Sequence, residues 1–371
     1  MRFRLSIFIG IVQSILFLAH WFVSWSWGRF FGGAMRSPLV KLAFFLLSIS
    51  FVLASLRGWY SFHPLVRVFY VFSAVWLGFA SWFLLAACLT WTVYGLALLA
   101  GAGGDLPRIA GLFLAAAVIG AIYGVLNAAR PRITRISVHL SNLPPHWRGR
   151  TAALVSDLHL GHVRNRRFVG RVVRGIASLQ PDIVFVAGDL YDGVAGDFEK
   201  LAQPWTDLVS SHAVPLGVYY IAGNHEEFYR HAEYLPPLLR SGVRVLDNEK
   251  VEVDGVQIVG MHYRDAANPE RHRAVLRSLR LDRSRASVLL LHAPVRPLIS
   301  EEEGISLQLS GHTHGGQFFP WTLVARRVWG RLNHGLRSVG KMQIYITYGA
   351  GTWGPPMRVG TQPEIVLITF A

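Results

Sequence analysis

Ile183-Val184-Phe185-Val186-Ala187-Gly188-Asp189-Leu190-Tyr191-Asp192 is the stretch from which the fold can be read. A run of apolar residues rich in β-formers predicts a buried strand; a glycine closes it, and carboxylates follow at once. The same pattern recurs along the chain. Ala152–Ser156 runs into Asp157-Leu158-His159, Val218–Ala222 into Gly223-Asn224-His225-Glu226, Val288–Leu291 into His292, and Leu307–Ser310 into Gly311-His312-Thr313-His314-Gly315-Gly316. Further strands are expected near Ile136 and at Val256–Gly260, Ile344–Thr347 and Ile365–Phe370. Helices with a basic face are expected at Arg167–Leu179 and Arg271–Leu281. Strands alternating with helices predict an α/β domain over residues 136–371. In open α/β sheets, sites form beyond the carboxyl ends of the strands, where these polar residues fall.

Taken singly, each polar residue has an ordinary explanation, such as a helix cap or a hydrogen-bonded core histidine. The conjunction argues otherwise. Asp157, His159, Asp189, Asn224, His225, His292, His312 and His314 sit at the ends of five strands, and such groups are costly to bury together unpaired. A pair of cations is the economical explanation. The donors are nitrogen and oxygen with no thiolate, which suits two divalent ions, manganese first, with iron, zinc or cobalt as alternatives. Two ions about 3.5–4 Å apart hold a phosphoryl oxygen and generate a hydroxide nucleophile between them. One carboxylate must then bridge, and Asp189, directly after a glycine that permits close approach, is the candidate.

The first third reads differently. The chain of 371 residues is 52% hydrophobic and 16% charged, against roughly 25% charged in soluble domains, and its mean hydropathy is +0.34. Its net charge is +15, of which residues 1–135 contribute +10 through 11 Lys and Arg and the single acid Asp105. The excess charge therefore sits in the most hydrophobic segment, as in a membrane protein. The domain's own surplus of +5 gives no reason to expect a nucleic-acid partner. Apolar stretches at Leu5–Val23, Leu39–Leu56, Leu65–Ala100 and Ile109–Ala128 predict about four transmembrane helices, each needing about 20 residues. The third, with no Pro and with no charge after Arg67, is read as one long helix. No cleavage site follows the first, so it is read as a retained anchor, and Trp21, Trp25, Trp27, Trp59 and Tyr60 fall near span ends. One side of the bilayer receives Arg2, Arg4, Arg57, Arg67, Arg130, Arg132 and Arg135; the other receives Arg29, Arg36, Lys41 and Arg108. This bias predicts a multi-pass inner-membrane protein with its catalytic domain cytoplasmic. The residues from Ala128 to Ile136 reach about 25–30 Å fully extended, which would hold the domain at the headgroups, with Arg130, Arg132 and Arg135 near anionic lipid.

Asp157-x-His159, Gly188-Asp189-x-x-Asp192, Gly223-Asn224-His225-Glu226, His292 and Gly311-His312-x-His314 together resemble the ordered motifs of the calcineurin-like metallophosphoesterases over about residues 150–371. Gly351-Thr352-Trp353-Gly354-Pro355-Pro356-x-Arg358 resembles the closing motif of a bacterial membrane-associated branch, some members of which hydrolyse UDP-diacylglucosamine. The resemblance implies a four-layer α/β/β/α sandwich of two mixed sheets. It implies one metal held by Asp157, His159, Asp189 and His314, and another by Asp189, Asn224, His292 and His312. His225 would be the uncoordinated catalytic acid and Asp192 a supporting residue behind the metals. Glu226 stands where many relatives have Asp, which leaves the partner of His225 open.

The expected function is a membrane-anchored phosphodiesterase or pyrophosphatase acting on an amphiphilic, lipid-linked substrate, with the bilayer as partner. The alternatives are a silent metal-binding sensor or scaffold, and a phosphatase for soluble or nucleotide substrates. Cys88, the sole cysteine, excludes an internal disulfide and is expected to be inert within a span. His262 and Asp265 belong either to the site or to a surface turn. His162, Arg164, Arg166 and Arg167 form either an anion site or a solvated basic face. Trp353 is expected either to pack or to form part of a substrate wall, and Glu301–Glu303 to form a solvated loop rather than a ligand set.

Overall fold

Among the described residues the apolar third of the chain holds four α-helices: α1 Arg2–Phe31, α2 Pro38–Tyr60, α3 Pro64–Leu99 and α4 Leu106–Asn127. All four are long and apolar enough to cross a membrane. Ser37 starts α2 by accepting from the Val40 amide at 3.4 Å, and Pro38 and Pro64 open α2 and α3 with φ already helical. α3 is a single helix of 36 residues, as expected. Two polar pairs here link neighbouring helices, and several serines and threonines bond to carbonyls of their own helix, as an apolar surround favours. His20 donates from Nδ1 to Leu16 O at 2.7 Å and accepts at Nε2 from Trp76 at 2.9 Å. Trp91 donates to Ser26 Oγ at 2.9 Å. Cys88 is exposed on α3.

In this computed structural model, which describes residues 2–102, 104–228 and 231–371, the chain falls into two units. One takes in the chain through Leu126 together with Gly354–Met357; the other comprises Asn127–Trp353 and Arg358–Ala371. Within the first, a side chain at Gly78 would strike Met357 Cε, which lies 2.8 Å from where its Cβ would stand.

Among the described residues the second unit holds twelve strands: β1 Arg132–Val138, β2 Thr151–Val155, β3 Ile183–Ala187, β4 Val218–Ile221, β5 Arg244–Val245, β6 Glu249–Val253, β7 Val256–Gly260, β8 Ser287–Leu290, β9 Leu307–Ser310, β10 Gly335–Val339, β11 Met342–Ile346 and β12 Glu364–Phe370. Its helices are α5 Arg166–Ser178, α6 Phe198–Ser210, α7 His231–Arg240, α8 Tyr263–Ala267, α9 Pro269–Ser278, α10 Pro297–Glu302 and α11 Trp321–Trp329. Two six-stranded sheets form, in the orders β1-β12-β2-β3-β4-β5 and β10-β11-β9-β8-β7-β6. Both are mixed: β2, β3 and β4 run parallel while β12 opposes β2, and β7, β8 and β9 run parallel while β6 opposes β7.

Strand periodicity makes the layers. On β2, Ala152 and Leu154 face the other sheet, packing with Ile258, Leu290 and Leu309, while Ala153 and Val155 face Val172, Ile176 and Trp205 of α5 and α6. On β8, Leu289 turns instead toward Leu276 of α9. The result is a four-layer α/β/β/α sandwich.

Differences from expectation gather at the sheet edges. β1 begins at Arg132 rather than near Ile136, so the expected boundary at 135/136 falls inside a strand that pairs in parallel with β12. β5, β6 and β10, which were not anticipated, are also edge strands. One flank of an edge strand meets solvent or a loop, so its apolar alternation is weak. Glu301–Glu303 is not a solvated loop. It ends α10, with Glu303 accepting from Arg273 at 2.8 Å and Arg277 at 3.1 Å.

Candidate metal centre

Each block of polar residues leaves a strand at the same end of the two sheets. Asp157 and His159 follow β2, Asp189 follows β3, Asn224 and His225 follow β4, His292 follows β8, and His312 and His314 follow β9. The turns that aim these side chains are strained. Asp157, His159, Asp189, His312 and His314 all have left-handed backbones, with φ of 54°, 48°, 49°, 71° and 48°. Such conformations cost of order 1–3 kcal/mol each and persist where the surroundings over-determine them. Gly223 admits the closest approach, because a Cβ there would collide with Asp189 Oδ1.

Among the described residues three groups bring ligand atoms within 4.8 Å of one another: Asp157, His159 and His314; Asp189, His292 and His312; and, between them, His159, Asp189 and His225. In the first, His159 Nε2 and His314 Nε2 are 3.0 Å apart, and His314 Nε2 lies 3.4 Å from Asp157 Oδ1. In the second, Asn224 Oδ1 lies 2.8 Å from His312 Nδ1 and 3.2 Å from His292 Nε2. Asp189 Oδ2 reaches both, 3.2 Å from His292 Nε2 and 3.8 Å from His159 Nε2. Nitrogen and oxygen lone pairs converging on one point in a buried space are what a cation accepts. The donor set therefore fits two divalent ions sharing Asp189.

The outer partners set the tautomers. His292 donates from Nδ1 to Ala187 O at 2.8 Å, and His159 donates from Nδ1 to Asp192 Oδ1 at 3.2 Å. When neutral, each is left with its Nε2 lone pair toward the cluster, the arrangement typical of metal-bound imidazole. Asp192 also accepts through its backbone oxygen from His225 Nδ1 at 3.1 Å. This answers the question left by Glu226. That carboxylate is fully buried and accepts from the amides of Asp189, Tyr191 and Gly223 at 3.0, 2.8 and 2.7 Å, clamping two strand ends rather than serving His225.

Electrostatics follow from burial and proximity. Burial alone would lower His292, yet Asp189 beside it raises its pKa to about 10. Burial and the His292 charge bring His312 down to about 3. Asp189, despite its burial, is held well below the usual carboxylate range by His292 and His225. Burial raises Asp157 and lowers His225, and burial with Asp189 nearby raises Glu226 to about 7.

Some neighbours lay outside the expected set. Arg358, quoted in the closing motif without a role, is fully buried. It donates to Gly351 O and Tyr348 O at 2.7 Å and to His314 O at 3.0 Å, and its Nη2 lies 3.1 Å from His314 Nδ1. An arginine amid glycines and prolines was its only signal. Tyr263 and Trp329 approach His312, at ring distances of 5.9 and 5.6 Å. Trp353 is more than packing: it is 59% exposed and edges His225 at 5.7 Å. His262 and Asp265 prove structural. His262 caps α8, accepting from the Arg264 amide at 3.2 Å, and Asp265 accepts from Asn248 at 2.7 Å. His162 and Arg164 are buried, and Arg164 donates to Ala128 O at 2.8 Å and Thr352 Oγ1 at 3.0 Å. Arg166 and Arg167 are exposed, on a groove shared with Arg171 and Arg174.

Residues 151–316 match the calcineurin-like phosphoesterase family. The chain is 31% identical over 257 residues to an uncharacterized metallophosphoesterase of Campylobacter jejuni, a match covering 67% of this chain and 66% of that relative. It is 30% identical over 264 residues to an uncharacterized metallophosphoesterase of Aquifex aeolicus, covering 68% of this chain and 97% of that one. It is 31% identical over 266 residues to a Danio rerio transmembrane protein with metallophosphoesterase domain, covering 67% of this chain and 60% of the relative.

Proposed function

The chain belongs to the calcineurin-like metallophosphoesterase family, and on that premise we propose that its centre hydrolyses phosphoester bonds with two divalent ions, manganese first among them. The observation that carries the proposal is the pair of buried donor clusters with Asp189 Oδ2 3.2 Å from His292 and 3.8 Å from His159. Asp157, His159, Asp189 and His314 would hold one ion, and Asp189, Asn224, His292 and His312 the other. When bound, the ions supply Lewis acidity to a phosphoryl oxygen and lower the pKa of water.

The chain's own residues do the rest. His225, fixed through Nδ1 by Asp192 O at 3.1 Å, protonates the departing oxygen from its other nitrogen. Burial lowers its pKa, while Asp189 and Asp192 act to hold the proton on the ring until the leaving oxygen takes it. Asp192 keeps the His159 ring oriented, and Glu226 ties the strand ends that carry Asp189 and Asn224. Water is restricted by a closed floor, since Asp157, His159, Asp189 and His292 are at most 2% exposed.

The substrate in this reading is a phosphodiester or pyrophosphate of an amphiphilic, lipid-linked molecule. The enzyme is multi-pass in the inner membrane with its catalytic domain cytoplasmic. Four apolar helices and the Danio rerio transmembrane relative support membrane association; the arginine bias supports the orientation. The test compares turnover of a diacylated nucleotide sugar with that of its deacylated headgroup in mixed micelles. A higher kcat/KM for the acylated form is expected. Equal values would leave an anchored phosphodiesterase without lipid preference.

A further inference from the structure

In the second unit, large apolar side chains are buried with few exceptions. Among its described residues nine are exposed, and Trp321, Leu323, Val324, Val328 and Trp353 make up five of them, at 51%, 55%, 52%, 68% and 59%. Four lie on α11, where Trp321, Val324 and Val328 recur at helical spacing while Thr322 and Ala325 turn inward. The surrounding chain is basic. Between Glu303 and Glu364 there is no acidic residue, but there are Arg326, Arg327, Arg331, Arg337, Lys341 and Arg358. All of these except Arg358 are exposed.

This patch is locked to the metal centre. Gly316, two residues past His314, has φ 79°, and a Cβ there would collide with the backbone of Trp321. Trp329, at the end of α11, sets its ring 5.6 Å from His312. Trp353 edges His225 at 5.7 Å and is tied to the loop before α11 by paired bonds with Gln317 of 2.8 and 3.0 Å.

We propose that α11 and Trp353 form an interfacial element that inserts into the headgroup–acyl boundary of an anionic bilayer and presents the metal centre to it. Tryptophan with aliphatic residues on one face and arginines around it is the composition of helices that lie in a membrane interface. The cations match anionic headgroups, which attract each nearby Lys or Arg, and four helices of the same chain are long and apolar enough to cross a bilayer. An exposed apolar patch this close to a reaction centre is a contact surface rather than scattered surface residues. The inference rests on the phosphoesterase reading above and deepens it: a lipid-linked phosphate would reach the site while its acyl part stays in the bilayer.

The test uses the full chain with Cys88→Ser, in nanodiscs of phosphatidylcholine and phosphatidylglycerol. A nitroxide is attached at Val324→Cys or, as an independent site, Val328→Cys, with Ser284→Cys as the solvent control; metal content checks folding. The ratio of oxygen to nickel-chelate collisions is expected to be several-fold higher at 324 and 328 than at 284. Adding Leu323→Glu should bring it toward the control. Labels at 324 and 328 as open to the chelate as that at 284 overturn the inference, and so do labels shielded from both reagents, which would mean a protein partner or a second copy. Hydrolysis of soluble bis(p-nitrophenyl) phosphate in the same nanodiscs reads the phosphoesterase assignment separately: intact hydrolysis with shallow labels refutes the membrane contact alone.

Discussion

Asp192→Asn is the substitution that best separates orientation from chemistry. Asp192 is 8% exposed, and its Oδ1 accepts from His159 Nδ1 at 3.2 Å, while His225 Nδ1 donates to its backbone oxygen at 3.1 Å with Oδ1 3.7 Å away. The amide keeps the shape and the carbonyl but removes the charge. A hydrogen bond to a charged group contributes about 1.5–3 kcal/mol. The neutral amide still accepts at about 0.5–1.5 kcal/mol, so the loss of about 1–1.5 kcal/mol predicts about a 5–10-fold weaker ion at the His159 cluster by the rule of 1.4 kcal/mol per tenfold, at the low end of outer-partner mutations in other metal sites. The other cluster, whose His292 is oriented by Ala187 O at 2.8 Å, should hold its ion as before. The assay is a metal titration of chelator-treated protein, read by turnover and by elemental analysis. Excess metal should restore most of the turnover, because the His225 hydrogen bond runs to the backbone oxygen and only the weaker attraction of the carboxylate 3.7 Å away is lost. Unchanged affinity, or a loss of most turnover that saturating metal leaves in place, would refute the reasoning.

Asp189→Asn should lower the content of both ions, since Oδ2 faces both clusters; near wild-type metal by elemental analysis would remove the bridging assignment. His225→Ala should keep its metals and lose about 10²–10⁴-fold in kcat on substrates with poor leaving groups. That loss should shrink for nitrophenyl esters, and a loss independent of leaving-group pKa would count against an acid role. His272, buried with Nε2 3.1 Å from Ser300 Oγ, has its pKa lowered to about 4 by burial and by Arg296 and Arg273. The unfolded chain takes up this proton near 6.5 and the folded one resists until about 4, so stability is lost as pH falls between them, by about 3 kcal/mol. In chelator-treated samples, His272→Gln should show a shallower drop in Tm over that window than the wild type.

Much of the centre was legible in the residues because its information is local. A buried strand announces itself by an apolar run, and ligand-type residues just past its end need no knowledge of the other strands. Hence Asp157, His159, Asp189, Asn224, His292, His312 and His314 could be named together, and the helices α1 to α4 could be read from length and hydropathy alone.

Only the tertiary structure decided how those residues meet. That His292 offers Nε2 follows from its Nδ1 finding Ala187 O, 105 positions away in the chain. Glu226 and Arg358 carry no periodic signature, because each works by satisfying amides or carbonyls brought together by folding. β1 needs β12, more than two hundred residues away, to count as a strand at all. The exposure of α11 is likewise invisible in its composition. Trp321, Leu323, Val324 and Val328 read as core residues until Gly316 and Trp329 set the helix against the metal centre with its other face covered. Patterning within a segment decides which element forms, whereas burial, tautomer and the sharing of Asp189 are settled by partners distant in the chain.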